Sequence, residues 1–129
     1  MPLTKKPNRK LLVKKLDTIF SEWIRRRYAK NDISECVTCG KQDHWKKLQA
    51  GHFMSRKHYS TRWDERNVEV QCQGCNVFRY GEQYKFSLYL GSDLADELLV
   101  RSRQIEKFSN ADLVMMHETY KQKVKDLDK

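Results

Sequence analysis

The chain holds 129 residues, with 26 Lys and Arg against 17 Asp and Glu, a net charge of +9, a pI near 9.5 and a mean hydropathy of −0.86. That length supports one modest hydrophobic core and excludes two independent ones. The basic excess favours a polyanionic partner over an acidic substrate, and the lack of any apolar run near eighteen residues excludes a membrane span.

In chain order, residues 1–10 read as a flexible basic arm with Pro2 and Pro7. The start "MPLTKKPNRK" lacks the apolar region of a secretory signal, so a cytoplasmic protein is expected. From residue 11 to 30, Leu12, Leu16, Ile19, Phe20, Trp23 and Ile24 recur at three and four residues, the stripe of an amphipathic helix. Residues 1–30 carry ten basic and two acidic groups, whereas residues 31–91 carry nine and seven and residues 92–129 seven and eight. The charge excess is therefore N-terminal. Lys14, Lys15, Arg25, Arg26 and Arg27 form either a solvated charged face or a set of phosphate contacts.

The next block is polar and turn-rich, with Cys36-x-x-Cys39 followed by Gly40, the spacing of a zinc knuckle. Residues 48–53 predict a short strand and residues 67–72 its partner. The intervening loop carries Arg56, Lys57, His58, Tyr59, Arg62 and Trp63, a composition suited to backbone phosphates and unpaired bases. Trp63 is equally a candidate core anchor. After Cys75, Val77, Tyr80, Tyr84, Leu88 and Phe86 stand near helical spacing, weakened at Gly81. Gly91 ends that segment, and Ser92 can cap a helix bearing Leu94, Leu98, Leu99 and Ile105. Ser109 with Asp112 forms a capping-box pattern that opens a last helix. The division expected is a single domain over 11–129: a basic helix at 11–30, a zinc-stapled centre at 34–90 and C-terminal helices at 92–128.

Cys36, Cys39, Cys72 and Cys75 form two CxxC pairs separated by 32 residues. Four thiolates make a closed tetrahedral site, so one structural Zn²⁺ per chain is expected; a disulfide scaffold is the alternative that this spacing disfavours. Between the pairs lie His52 and Asn67, and Asn76 directly follows the last cysteine. A phosphodiester hydrolase needs a base for water, a divalent ion for the phosphate and a rigid mount for both. His52 could be that base and an asparagine amide oxygen a ligand. Each also has a plainer reading: a buried hydrogen-bonding histidine, a turn former at Asn67, a helix cap at Asn76. His44 reads as a surface residue or phosphate contact, and His117 as structural.

At these residues the sequence resembles the HNH, or ββα-metal, endonucleases: Cys36-x-x-Cys39, Gly51-His52, Asn67, then Cys72-x-x-Cys75-Asn76. More narrowly, "LQAGHFMSR", "RWDERNVEVQCQGCN" and "GEQYKFSLYLG" are similar to the phage NinG (Rap) recombination proteins, a family associated with branched-DNA and Holliday-junction cleavage. The four-cysteine zinc with asparagine behind it is also similar to the phage junction resolvase endonuclease VII. The resemblance implies His52 as general base, Asn76 as ligand of a catalytic Mg²⁺ or Mn²⁺ and Asn67 as the brace that aims the histidine. Its products would be a 5′-phosphate and a 3′-hydroxyl. Most HNH sites carry Asp or His before the base as a second metal ligand, where this chain has Gly51. The acidic candidates to replace it are Asp64, Glu65, Glu69 and Glu82, with Asp64 or Glu65, just before Asn67, put first.

The resulting expectation is a mainly helical α+β protein: a ββα-metal core with a four-cysteine zinc, flanked by a basic helix and two C-terminal helices. Its expected activity is metal-dependent cutting of DNA, selective for branched substrates in phage recombination or replication. The alternatives are a non-catalytic nucleic-acid-binding module and a generic nicking or homing-type HNH nuclease. Two coordinated cuts on a symmetric junction would suit a homodimer, with the apolar faces of the C-terminal helices either making that contact or packing on the N-terminal helix.

Overall fold

A computed structural model describes residues 8–129. Helix α1 spans Arg9–Arg26, opened by Asn8, whose side-chain oxygen accepts from the Leu11 N–H at 3.3 Å. Leu16, Phe20 and Ile24 of the expected stripe are buried at 0–1 % exposure. The arm expected over residues 1–10 lies outside the described residues up to position 7, and Arg9 and Lys10 belong to the helix. The helix also stops short of Lys30, because the chain turns back through left-handed Asn31 and Asp32 (φ 51° and 64°).

Strands β1 (Ile33–Glu35) and β2 (Gln42–His44) pair antiparallel, Ser34 facing Asp43, and hold the Cys36–Cys39 knuckle between them. They are three residues each and polar, so no alternation marked them. His44 caps the 3₁₀ turn Trp45–Lys47, its Nδ1 accepting from the Lys46 N–H at 3.1 Å. Strands β3 (Gln49–His52) and β4 (Val68–Gln71) form the expected hairpin, in the register Gln49 to Gln71, Gly51 to Glu69 and His52 to Val68. A single helical turn, α2 (Tyr59–Arg62), lies in the loop between them.

After β4 come a π-helical turn, Gly74–Phe78, and helix α3, Gln83–Leu90. The helix expected to run on from Val77 is broken, since Tyr80, Gly81 and Glu82 all take left-handed conformations (φ 53°, 88° and 50°). Of its proposed apolar stripe only Phe86 is buried; Tyr80, Tyr84 and Leu88 are 89 %, 76 % and 64 % exposed. Helix α4 (Ser92–Ser102) starts at Ser92 with Gly91 in the cap position, so Ser92 caps nothing. Helix α5 (Asn110–Leu127) opens with the expected capping box, Ser109 Oγ accepting from the Asp112 N–H at 3.0 Å and Asp112 Oδ2 from the Ser109 N–H at 2.9 Å.

The main core joins α1 to α5: Leu16, Phe20, Ile24, Leu113 and Tyr120 close over Trp63 and Val68, with Phe20 and Tyr120 edge to face at 4.9 Å. The inner face of α5 is thus spent on α1. A second cluster, Phe53, Phe86, Ala95 and Leu98, fixes α3 and α4 beside the hairpin. The whole is a mixed α+β fold, largely helical. Among the described residues no helix is long and apolar enough to cross a membrane.

Candidate functional site

The four cysteine sulfurs lie within 4.8 Å of one another, three of the residues buried and Cys39 exposed. Tetrahedral zinc with bonds of about 2.3 Å spaces its sulfurs by about 3.8 Å, so the cluster fits that ion. Burial works against a thiolate at Cys36, but hydrogen bonds from the Thr38 hydroxyl and from the Cys72, Thr38 and Cys39 backbone outweigh it and pull the thiol down to about 6. At Cys39 a backbone bond from Lys41 favours the thiolate, yet burial and the neighbouring sulfurs push it up to about 12. Four crowded thiols cannot all ionise alone; a divalent cation removes that conflict.

The cluster joins the knuckle to the end of β4 and to the turn that carries Asn76. Beside it opens a cleft of about 830 Å³ along β3, walled by Asp17, Phe20, Ser21 and Arg25 of α1 and by Asn76, Tyr80, Gly81 and Gln83. His52 and Asn76 both line it. The Asn76 backbone N–H donates to the Cys72 carbonyl at 2.9 Å, so the stapled turn sets its depth. Its Nδ2 donates to Gln49 Oε1 at 2.7 Å, and Oδ1 makes no hydrogen bond among the described residues.

His52 Nε2 lies 2.9 Å from the Arg62 carbonyl oxygen. A carbonyl only accepts, so the proton sits on Nε2 and the lone pair on Nδ1. Burial pushes the imidazole pKa down to about 4; the Arg62 carbonyl and Asp17 oppose this, and the Arg56 and Arg62 charges reinforce it. The ring is a neutral base throughout the neutral range. The unfolded chain, near 6.5, binds a proton that the folded chain refuses between pH 6.5 and about 4, so this contribution to stability is whole above pH 6.5 and lost as pH falls through that window. In an NMR titration the His52 ring should keep its neutral shifts down to about pH 5. A midpoint at the unfolded value would contradict this burial.

Asn67 is wholly buried; its Oδ1 accepts from the Met54 N–H at 2.8 Å, and its Nδ2 donates to the Met54 and Thr61 carbonyls at 3.0 Å. Those bonds close the loop whose next residue, Arg62, supplies the carbonyl that orients His52. Asn67→Ala strips the Met54 N–H and carbonyl of their partner and leaves the Thr61 carbonyl with only the Asp64 N–H and Trp63 N–H, a loss of about 2 kcal/mol that urea unfolding of the zinc-loaded protein should register. An unchanged midpoint would contradict the bracing contact.

Gly51 has a different constraint. A Cβ there would lie 1.8 Å from Gln71 Oε1 and 2.6 Å from its Cδ, so the Gln71 side chain already fills the space. Gln71 Nε2 donates to Thr38 Oγ1 at 3.1 Å and to the Gly81 carbonyl at 2.8 Å, which fixes the amide's orientation. Its Oε1 is buried without a partner.

The expected second ligands do not reach this cleft. Asp64 is held by Arg66 at 3.0 Å and Arg101 at 3.4 Å, and Glu65 by the Tyr120 hydroxyl at 2.7 Å and Lys123 at 2.9 Å. Neither lines it. Glu69 pairs with Arg27 at 2.9 Å and Glu82 with Lys85 at 3.8 Å. The carboxylate that does line the cleft is Asp17, which no local motif marks within the basic helix α1; Arg62 Nε and Trp63 Nε1 donate to it at 3.1 and 3.0 Å.

The basic residues divide in the same way. Arg62 is spent on Asp17, Arg27 on Glu69 and the Val68 carbonyl, and Arg26 on Glu22 and Asp128. These three are structural, not free phosphate contacts. Arg25 lies over the Trp45 ring at 5.1 Å while lining the cleft. Lys14, Lys15, Arg56 and Lys57 are exposed, and His58 is half-buried at the N-cap of α2.

The family model described as "Bacteriophage Lambda NinG protein" matches residues 3–129, and the chain belongs to that family. No curated protein and no solved structure matches it.

Proposed function

We propose that this NinG-family chain is a zinc-stapled DNA endonuclease of the HNH, ββα-metal type, dependent on Mg²⁺ or Mn²⁺ and selective for branched DNA in phage recombination or replication. The observation that carries this reading is the cleft in which His52, with Nδ1 free, and Asn76, with Oδ1 free, stand together beside the cysteine cluster. The pattern likened above to endonuclease VII, four cysteines with an asparagine directly behind the last, is in keeping with it.

In the proposed reaction His52 Nδ1 takes a proton from water as its oxygen attacks the scissile phosphorus in line with the leaving 3′-oxygen. The Arg62 carbonyl on Nε2–H holds the ring in the required tautomer and steadies the imidazolium that forms. Asn67 holds that carbonyl's loop in place, which makes it a positioning residue. Asn76 Oδ1, an oxygen donor of the kind hard cations take, would hold the metal. The bound cation would neutralise charge on the phosphate and on the leaving oxygen. Arg25 and Arg56 bring positive charge to the phosphate from the cleft wall. Hydrolysis leaves a 5′-phosphate and a 3′-hydroxyl.

One observation favours a second reading: the single cleft carboxylate, Asp17, is already bound by Arg62 and Trp63, which would suit a module that binds nucleic acid without cutting it. Incubating the zinc-loaded protein with four-way junction, flap and linear duplex DNA, in Mg²⁺, Mn²⁺ or EDTA, separates these. Cutting of the junction ahead of linear duplex, abolished by EDTA, is the expected result. Equal cutting of all substrates would leave a generic HNH nuclease, and binding without scission in either metal would leave the binding module.

A further inference from the structure

We infer that Gln71 Oε1 is the ligand that replaces the missing side chain at Gly51, acting with Asn76 Oδ1 as an oxygen donor to the divalent cation. This rests on the metal-dependent nuclease reading and adds a residue to it.

The first ground is the accounting of Gln71 itself. It is wholly buried, its Nε2 is committed to Thr38 Oγ1 and to the Gly81 carbonyl, and its Oε1 is an orphaned acceptor. Rotating the amide would turn an oxygen toward the Gly81 carbonyl oxygen, so Oε1 stays where it is. Buried acceptors left empty are uncommon and call for a partner such as an ion.

The second ground is position. Oε1 sits 1.8 Å from where a Cβ of residue 51 would be, the place from which an acidic side chain before the base would project. Gly51 precedes His52 on β3, and Gln71 faces Gln49 across the hairpin. Gln49 in turn holds Asn76 by its Nδ2 at 2.7 Å. Gln71 lies directly behind the cleft lining, and the carbonyl it holds, Gly81, belongs to the cleft wall, as do Gln49 and Asn76. Glycine at 51 and glutamine at 71 are thus one device: the amide enters from the partner strand, and any side chain at 51 would collide with it.

The zinc staple supports the same residue. Thr38 Oγ1, which receives Gln71 Nε2, is 3.4 Å from Cys36 Sγ, and Cys72 directly follows Gln71. An uncharged amide pair binds a cation more weakly than a site with a carboxylate, since affinity rises with ligand charge.

The test is Mn²⁺ binding, read by the loss of the free-ion EPR signal, on zinc-loaded full-length protein without DNA. Wild type should bind weakly, and Gln71→Met about tenfold less tightly still. The exchange Gly51→Asp with Gln71→Ala, which opens the space and returns a carboxylate to position 51, should recover binding that Gln71→Ala alone loses. Where Gln71→Met fails to fold, the exchange decides the matter. Binding that is lost in Asn76→Ala but is the same in wild type and in every Gln71 variant overturns the role of Gln71 and leaves the nuclease reading standing. No Mn²⁺ binding by wild type, alone or with junction DNA, overturns both.

Discussion

Serine in place of Cys72, or removal of the metal by a strong chelator, is expected to unfold the knuckle, the hairpin and the turn that bears Asn76. The apolar cluster there consists of Cys36, Leu48, Val70, Cys72 and Cys75, with only two aliphatic side chains apart from the sulfurs. Structural zinc in small domains contributes about 10–16 kcal/mol, as much as the whole stability of a typical domain. The α1–α5 pair has its own core of Leu16, Phe20, Ile24, Leu113 and Tyr120, so part of the helical signal should survive. Metal analysis should find one Zn²⁺ per chain, and hydrogen exchange should show protection lost from β3 and β4 first. Equal protection with and without metal would show that the cysteines are not a staple.

In the proposed nuclease, replacing His52 with alanine is expected to slow strand scission by about 10²- to 10⁴-fold while DNA affinity stays near wild type. The imidazole contributes no cation to binding, since burial keeps it neutral at working pH. Its loss therefore removes the base and little else. Asn76→Ala should also depress cutting, with partial recovery at raised Mn²⁺. A His52→Ala protein that cuts at the wild-type rate would remove the histidine from the chemistry.

The elements legible in the sequence were those with a local signal. The stripe of α1 shows because Leu16, Phe20 and Ile24 repeat at helical spacing and all point into one core. The cysteine cluster shows because ligand spacing is itself the motif, and the Ser109–Asp112 box because both partners lie within one turn. His52 and Asn76 were named from a motif, and it takes the hairpin and the staple together to bring them to one cleft.

What the sequence hid are relations across the fold. Arg27 reaches Glu69 over 42 positions and Arg62 reaches Asp17 over 45, so neither pairing leaves a trace in its own neighbourhood. Read locally, those arginines were free cations. Asp64 and Glu65 stand just before Asn67 along the chain, but they face Arg66, Arg101, Tyr120 and Lys123. The aromatic spacing after Cys75 misled because Tyr80 to Glu82 interrupt the helix, leaving Tyr80 and Tyr84 on the surface. Gln71 gave no signal at all; its part depends on the emptiness of Gly51 on the neighbouring strand.

The most direct measurement is single-turnover cleavage of a 5′-labelled four-way junction by zinc-loaded wild type, with Mg²⁺ and with EDTA. The account predicts scission in Mg²⁺ alone, leaving a 5′-phosphate and a 3′-hydroxyl at the cut. A junction that is bound by the folded, zinc-loaded protein yet stays intact in both Mg²⁺ and Mn²⁺ would contradict it.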